Sequence, residues 1–209
     1  MSKRVLYILI VVVIASCSKK VFKEKWTQKK APETFKARFE TTQGNFDIEA
    51  KRAWSPQGVD RLYQLITNGF YTDIAIFRVV PNFVAQFGIH NDSLVNKGWN
   101  AVKVNDEPVL QKNDKMTIAF ARGGVKTRGT QIFINLKDNH RLDTLAYAGV
   151  TGFPVIAKVT VGSENVLKFY DKHGDKLGRK QDSIQARGNA FLRKNYPEID
   201  YIKKAYIIK

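Results

Sequence analysis

Hydrophobic and polar residues alternate along much of this chain at the two-residue period that is typical of half-buried β-strands. The alternation over residues 35–42 and 45–50, on either side of Gln43-Gly44, predicts an opening β-hairpin. Runs rich in branched and aromatic residues predict the remaining strands, which are expected at residues 76–80, 83–88, 116–121, 131–136, 155–161 and 201–208.

Two segments instead place apolar residues at helical spacing. The first begins at Pro56, after a Ser55 that can cap it, and stops at Gly69. Residues 163–172 predict the second helix, whereas residues 90–114 read as a long polar connection. Many short strands with two helices indicate a mainly β protein, and closing the antiparallel sheet into a barrel leaves no open edge.

Residues 176–198 interrupt this pattern just before the last strand. Asp182 and Gln185 form a weak capping box, Gly188 weakens the following helix and Pro197 ends it. We predict a short extra helix here. Two roles are open for it, since it can pad the barrel or face a client or partner protein.

The N-terminus has the pattern of an export signal. A short positive region precedes an apolar run over residues 5–15, which is too short to span a bilayer as a mature helix. The run ends in Ile14-Ala15-Ser16-Cys17, which resembles the lipobox of bacterial lipoproteins. The resemblance implies that residues 1–16 are a signal peptide, that the Cys17 thiol is linked through a thioether to a diacylglycerol, and that the new Cys17 amine is acylated, with palmitate among the acyl chains.

The alternative is an ordinary secretory signal with an incidental cysteine. Against it, Cys17 is the single cysteine of the chain. A single thiol also excludes a disulfide framework within one chain. We therefore expect a lipid-anchored protein of the bacterial cell envelope that faces the periplasm, with the bilayer as a partner through Cys17.

Residues 17–34 are rich in lysine and poor in large apolar residues, so we interpret them as a solvated tether. The alternative is that the lysines lie on anionic head groups, with Trp26 at the interface. The formal net charge of +16 raises nucleic acid as a partner. The positive residues are spread along the chain without an RNA or DNA motif, so no nucleic acid is expected.

Candidate chemistry comes from polar residues inside predicted strands. Arg78, Gln86 and Gln131 stand where a buried strand is normally apolar, and Phe83 and Phe133 can form an aromatic wall. One cation, two amides and an aromatic wall suit a reaction without a covalent bond to the protein, such as rotation about a peptide bond. The histidines lack ligand spacing, so no metal is expected, and no cofactor is implied.

Two segments carry a family resemblance. Residues 76–88, Ile-Phe-Arg-Val-Val-Pro-Asn-Phe-Val-Ala-Gln-Phe-Gly, and residues 129–134, Gly-Thr-Gln-Ile-Phe-Ile, resemble the core signatures of cyclophilin-type peptidyl-prolyl cis-trans isomerases. The resemblance covers residues 35–209. It implies a closed eight-stranded antiparallel barrel capped by two helices, and a monomeric enzyme that isomerises Xaa-Pro bonds in unfolded or exported polypeptides.

The resemblance also implies roles by position. Arg78 is expected to donate to the prolyl nitrogen, with Gln86 and Phe83 as its catalytic neighbours. The substrate-binding positions are expected at Val84, Ala121, Arg122, Gln131, Phe133, Leu142 and Phe153. Residues 123–129 are expected to form a mobile loop above the groove.

Four positions depart from the family pattern: Phe77 replaces a His, Phe87 a Gly and Ile132 a Phe, and Arg141 stands where drug-sensitive members carry a Trp. Loss of that indole predicts weak cyclosporin binding. Two other functions remain open, a non-catalytic module that holds proline-containing partners and an envelope-tethering structural lipoprotein.

Overall fold

The computed structural model describes residues 22–209. The predicted signal peptide and the predicted lipidation site, Cys17, lie outside this range. Among the described residues, no helix combines the length and the apolar character needed to cross a bilayer.

In chain order the strands are β1 (Thr34–Thr41), β2 (Gly44–Lys51), β3 (Ile74–Ala75), β4 (Arg78–Val80), β5 (Val84–Phe87), β6 (Thr117–Phe120), β7 (Ile132–Asn135), β8 (Ala146–Tyr147), β9 (Val150–Thr151), β10 (Val155–Val161) and β11 (Tyr201–Ile208). Nine of these strands form one antiparallel sheet, in the order β3-β11-β1-β2-β10-β6-β7-β5-β4, and β8 and β9 form a separate hairpin.

The two outermost strands of this sheet, β3 and β4, follow each other in the chain. β3 pairs with β11 and β4 pairs with β5, so only Ile76 and Phe77 join the two edges. The sheet therefore curls round on itself. The predicted mainly β, antiparallel architecture is confirmed, and the count is nine rather than eight because one strand is interrupted at these two residues.

The helices are α1 (Pro56–Thr67), α2 (Ser93–Ala101), α3 (Arg141–Thr144), α4 (Ser163–Val166) and α5 (Gln181–Asn195), with 3₁₀ turns at Glu24–Gln28, Arg52–Trp54 and Gly178–Lys180. Two helix predictions are wrong. The segment predicted as a polar connection contains α2, which buries Val95 and Trp99 and is capped by the Asp92 carboxylate. The predicted second helix is reduced to the single turn of α4, which follows Gly162 in the left-handed conformation.

The inner face of the sheet and one face of α1 form the main core. Phe39 and Phe46 stack with their ring centroids 5.0 Å apart, and Phe87 meets Phe39 edge to face. Each fully buried aromatic or aliphatic side chain stabilises the fold by about 1.5–3 kcal/mol. Phe87 and Ile132, both departures from the family pattern, are core residues without exposure.

The N-terminus of α1 is capped by a distant residue. Ser55 was predicted as the cap, but its side chain does not cap the helix and instead donates to Glu107. The Glu107 carboxylate accepts the backbone N–H groups of Gln57 at 2.8 Å and Gly58 at 3.1 Å, and Arg128 donates to it at 2.9 Å. A buried ion pair therefore supplies the charge that favours this helix end.

The insertion before β11 includes residues 171–175 as well as the predicted residues 176–198, and its helix is longer than predicted. α5 runs over fifteen residues, and its backbone leaves helical geometry at Gly188, where φ is 59°. The predicted capping box does not form, because no side chain caps the helix. The insertion packs on the barrel through a second apolar cluster that joins Phe77 to Leu177, Ile184 and Leu192. This packing explains why the chain has Phe77 in place of the family's His, since the Phe77 side chain is the part of the barrel on which the insertion packs.

Residues 22–33 lie against the barrel. The Phe22 and Trp26 rings lie 5.2 and 6.3 Å from the buried Trp99 ring. Gln64 Nε2 donates to the carbonyl oxygens of Thr27 at 3.0 Å and Lys29 at 2.7 Å. The prediction of a solvated tether is therefore wrong for this stretch, and Trp26 packs on Trp99.

Candidate active site

Arg78 and Gln86 face each other across the paired strands β4 and β5. The turn between the strands contains Asn82 with φ at 55°, a conformation that asparagine tolerates. Directly opposite residues of an antiparallel pair share one face of the sheet. Arg78 Nη1 consequently donates to Gln86 Oε1 at 3.1 Å.

A chain of side-chain amides continues from this pair. Gln86 Nε2 donates to Gln131 Oε1 at 2.9 Å, and Gln131 Nε2 donates to Gln181 Oε1 at 2.9 Å. The three polar residues singled out from the sequence are thus brought together in one hydrogen-bonded chain. Gln181 extends it from the first residue of α5, and nothing in its local sequence indicates this.

A second residue of the insertion contacts Arg78. Asp175 Oδ1 accepts a hydrogen bond from Arg78 Nε at 2.5 Å. The Arg78 side chain is mostly buried and the Asp175 side chain is half exposed. The sequence interpretation missed Asp175, because it lies 97 residues from Arg78 and the insertion was read as a separate helix.

The predicted apolar positions form one cluster beside Arg78. Its buried members are Val84, Ala119, Phe133 and Leu142, and Phe83, Ala121 and Phe153 pack against them at the edge. Phe153 meets Phe133 edge to face with the centroids 5.8 Å apart. All of these residues except Ala119 line a groove of about 460 Å³, together with Arg78, Gln86 and Arg122.

Two guanidinium groups, those of Arg78 and Arg141, lie over the Phe83 ring at the groove. Arg78 Cζ is 5.5 Å from the ring centroid, and Arg141 Cζ is 5.2 Å from it. Both distances are within the range of cation–π attraction. Phe83 therefore restrains the Arg78 side chain and also lines the groove.

Arg122 was expected at a substrate-binding position, and its side chain has a structural role there. Its guanidinium is buried over the Phe153 ring and donates to the carbonyl oxygens of Tyr147 at 2.9 Å, Val150 at 2.9 Å and Gly152 at 2.8 Å. Burial lowers the pKa of Arg122, against the attraction of Asp106. Arg122 thus fastens the β8–β9 hairpin beside the pocket.

Gln131 faces a second cavity of about 360 Å³, which shares Gln86, Ala121, Arg122 and Gln181 with the groove. The loop predicted above the groove lines this cavity. Thr127 Oγ1 accepts the N–H groups of Gly123 and Gly124, both at 2.9 Å, and so closes the loop on itself. Predicted binding residues therefore line two joined spaces with Gln86 between them.

Three exposed groups, Asp114, Asp138 and His140, each place one ligand-type atom within 4.8 Å of the others. His140 Nε2 lies 2.7 Å from Asp114 Oδ1, and Asp138 accepts the N–H of Lys115. His140 and Asp114 partner each other at the surface and Asp138 partners the backbone of Lys115, so we assign these groups no metal.

Comparison with known proteins gives a consistent result. Residues 36–187 match the family model described as cyclophilin type peptidyl-prolyl cis-trans isomerase/CLD. Peptidyl-prolyl cis-trans isomerase A of Dickeya dadantii is 29% identical over 143 residues, which cover 68% of this chain and 74% of the relative. The peptidyl-prolyl cis-trans isomerase of Acinetobacter baylyi is also 29% identical over 143 residues, covering 68% and 75%.

The fold has solved counterparts as well. A cyclophilin type peptidyl-prolyl cis-trans isomerase from Cryptosporidium parvum superposes with a TM-score of 0.57 at 17% identity, covering 84% of this chain and 98% of that chain. A second structure of that protein, solved in the presence of the dipeptide Ala-Pro, gives a TM-score of 0.56 at 17% identity, covering 83% and 99%. At this identity the likeness bears on the fold alone.

Proposed function

The chain belongs to the cyclophilin-type peptidyl-prolyl cis-trans isomerase family, and we propose that Arg78 carries its catalysis without any covalent intermediate. Proline-containing polypeptides are its substrates. The observation that supports this role is the position of the Arg78 guanidinium at the mouth of the apolar groove, with Gln86 on Nη1 and Asp175 on Nε.

The chemistry follows from the amide bond. Resonance keeps a Xaa-Pro bond planar, with a barrier of about 18–20 kcal/mol, so that unaided isomerisation takes tens to hundreds of seconds. As the bond twists, the prolyl nitrogen regains its lone pair and becomes a better hydrogen-bond acceptor. A donor aimed at that nitrogen stabilises the twisted state more than either planar isomer, which is the condition for catalysis.

A guanidinium suits this task because it stays charged and holds its donors in a plane. An acceleration on the order of 10⁵-fold requires about 7 kcal/mol. One hydrogen bond to a charged group contributes about 1.5–3 kcal/mol. The remainder comes from the exclusion of water and from holding one side of the bond still while the other side rotates.

The neighbouring residues divide this second task. Phe133, Leu142 and Phe153 form the surface on which the proline ring binds. Gln86 holds Arg78, and Gln131 bonds the substrate backbone on the side of the second cavity. Once the ring is fixed in the apolar groove, rotation is confined to the residue before proline.

We also propose where the enzyme works. The apolar run over residues 5–15, followed by the sole cysteine Cys17, supports export and lipid anchoring in the bacterial envelope, with exported polypeptides as clients. Incorporation of a labelled palmitate analogue into wild type, and its loss in Cys17→Ser, tests this proposal. Equal labelling of both proteins would contradict it.

The catalytic proposal is tested by the isomerisation rate of short Xaa-Pro peptides. Arg78→Ala should lower kcat/KM by about 100-fold or more, because it removes both the positive charge and the hydrogen-bond donors that face the prolyl nitrogen. Arg38→Ala is the matched control, since Arg38 is also a strand arginine paired with an aspartate, Asp47, but lies outside the groove. Wild-type activity in Arg78→Ala would overturn the role of Arg78.

A further inference from the structure

The insertion reaches the catalytic arginine through a backbone contact. Gly174 forms an isolated antiparallel bridge with Val79, the residue after Arg78. In an antiparallel pair the adjoining positions also face each other, so this bridge sets Asp175 opposite Arg78. Gly174 has φ at 49°, a conformation that favours glycine. The placement of Asp175 is therefore built into the backbone.

The same segment contacts the site at two further points. A β-carbon at Gly178 would lie 3.0 Å from Arg78 Cδ, so this glycine packs directly on the arginine side chain. Gln181 accepts from Gln131 and donates to the Gly178 carbonyl oxygen at 3.1 Å. Next to Gly178 in the chain, the buried Leu177 packs in the apolar cluster around Phe77 and so anchors the segment.

The contacts leave one nitrogen of the Arg78 guanidinium free to donate to a substrate. Nε is held by Asp175 and Nη1 by Gln86, each at hydrogen-bond distance. Within residues 22–209, Nη2 has no hydrogen-bond partner. A long arginine side chain loses considerable rotamer freedom when it is ordered. An arginine that is already ordered avoids that loss when the substrate arrives.

We propose that Asp175 is a positioning residue for Arg78, carried by an insertion that completes the isomerase site. This proposal rests on the catalytic role of Arg78 given above. Asp175 acts through Arg78 and not on the substrate. Because its side chain is half exposed, the ion pair adds little to stability. Its effect should therefore appear in turnover while the stability of the fold is nearly unchanged.

The test compares Asp175→Asn with Asp171→Asn. Asp171 belongs to the same segment and pairs with Lys172 instead of Arg78, which makes it a matched control. Asp175→Asn should lower kcat/KM on a Xaa-Pro peptide by about tenfold, carried by kcat and not by KM, because the apolar residues that bind the proline ring are unchanged. Asp175→Glu should restore part of the loss, and the unfolding temperatures of all variants should agree.

The decisive measurement repeats Asp175→Asn in an Arg78→Ala background. A positioning residue has no further effect there, because the group it positions is gone. Wild-type activity of Asp175→Asn, or an equal loss in both backgrounds, would overturn the proposal. Full activity of Arg78→Ala would overturn the catalytic role of Arg78. Full activity of Asp175→Asn together with an inactive Arg78→Ala would overturn only the positioning role of Asp175, so the two failures are distinguishable.

Discussion

The guanidinium of Arg141 lies over the ring of Phe83, with Cζ 5.2 Å from the ring centroid, and both residues line the apolar groove. By the family resemblance, drug-sensitive members carry a tryptophan at this position. Arg141 begins the short helix α3, whose next residue, Leu142, is buried in the pocket wall. A change at Arg141 therefore alters the rim and leaves the wall in place.

We expect Arg141→Trp to increase the affinity for cyclosporin by at least about tenfold. An indole supplies both an N–H donor and a large apolar face, and a single hydrogen bond plus partial aromatic burial amounts to about 2 kcal/mol. Isothermal titration calorimetry measures the change. Arg141→Leu is the control, since it removes the charge without adding a donor. If the tryptophan and leucine variants bound the drug equally, the missing indole donor would not explain the expected weak binding.

The three hydrogen-bonded polar residues of the candidate site could be predicted from the sequence because strand geometry brings them together. Arg78 and Gln86 lie on two strands joined by a tight turn, so their facing positions follow from the register. Gln131 lies just before β7, which pairs with β5. An alternating pattern specifies which face of a strand each residue occupies. Motif and register together were sufficient to assemble these three residues.

The residues that complete the site could not be predicted in this way. Asp175 and Gln181 reach it through an insertion whose position depends on apolar contacts with Phe77. Glu107 likewise caps α1 from a segment about fifty residues away. Contacts between residues so far apart in the sequence depend on how whole elements pack. A single sequence does not show which positions vary together, so it carries no signal for these contacts.

The error over residues 22–33 has a different origin. The lysines in this stretch suggested a solvated segment, and the lysine side chains are exposed. Phe22 and Trp26, four residues apart, occupy the opposite side and meet Trp99 of α2. Because α2 was not predicted, the partner surface for these two rings was missing from the sequence interpretation.

We expect Glu107→Gln to destabilise the protein by about 3 kcal/mol near neutral pH. Glu107 and Arg128 form a buried ion pair, and removing one charge leaves the other buried without a partner. For a domain of this size the midpoint of thermal unfolding should fall on the order of 10 °C. Glu49→Gln is the control, because Glu49 pairs with Lys51 at the surface, and it should change the free energy of unfolding by less than about 1 kcal/mol.

The same ion pair predicts an acid-dependent loss of stability. Burial tends to raise the pKa of Glu107, but the hydrogen bonds from Ser55, Gln57 and Arg128 outweigh it and lower the pKa. A carboxyl with a lowered pKa stabilises the fold above its unfolded pKa of about 4.3, and this contribution is lost as the pH falls through the folded value. The stability difference between wild type and Glu107→Gln should therefore shrink on acidification. A difference that stayed constant down to the acid transition would contradict this assignment.

The docked N-terminal segment leads to the final prediction. Trp26→Ala should destabilise the domain by about 1–3 kcal/mol, less than the ~3–5 kcal/mol typical of a fully buried aromatic residue, because Trp26 is only half buried. Urea unfolding followed by circular dichroism measures the loss. Lys25→Ala, an exposed residue in the same 3₁₀ turn, is the control and should be neutral. If Trp26→Ala matched this control, or if trypsin released residues 22–30 without changing the unfolding midpoint, the segment would be a solvated tether in solution.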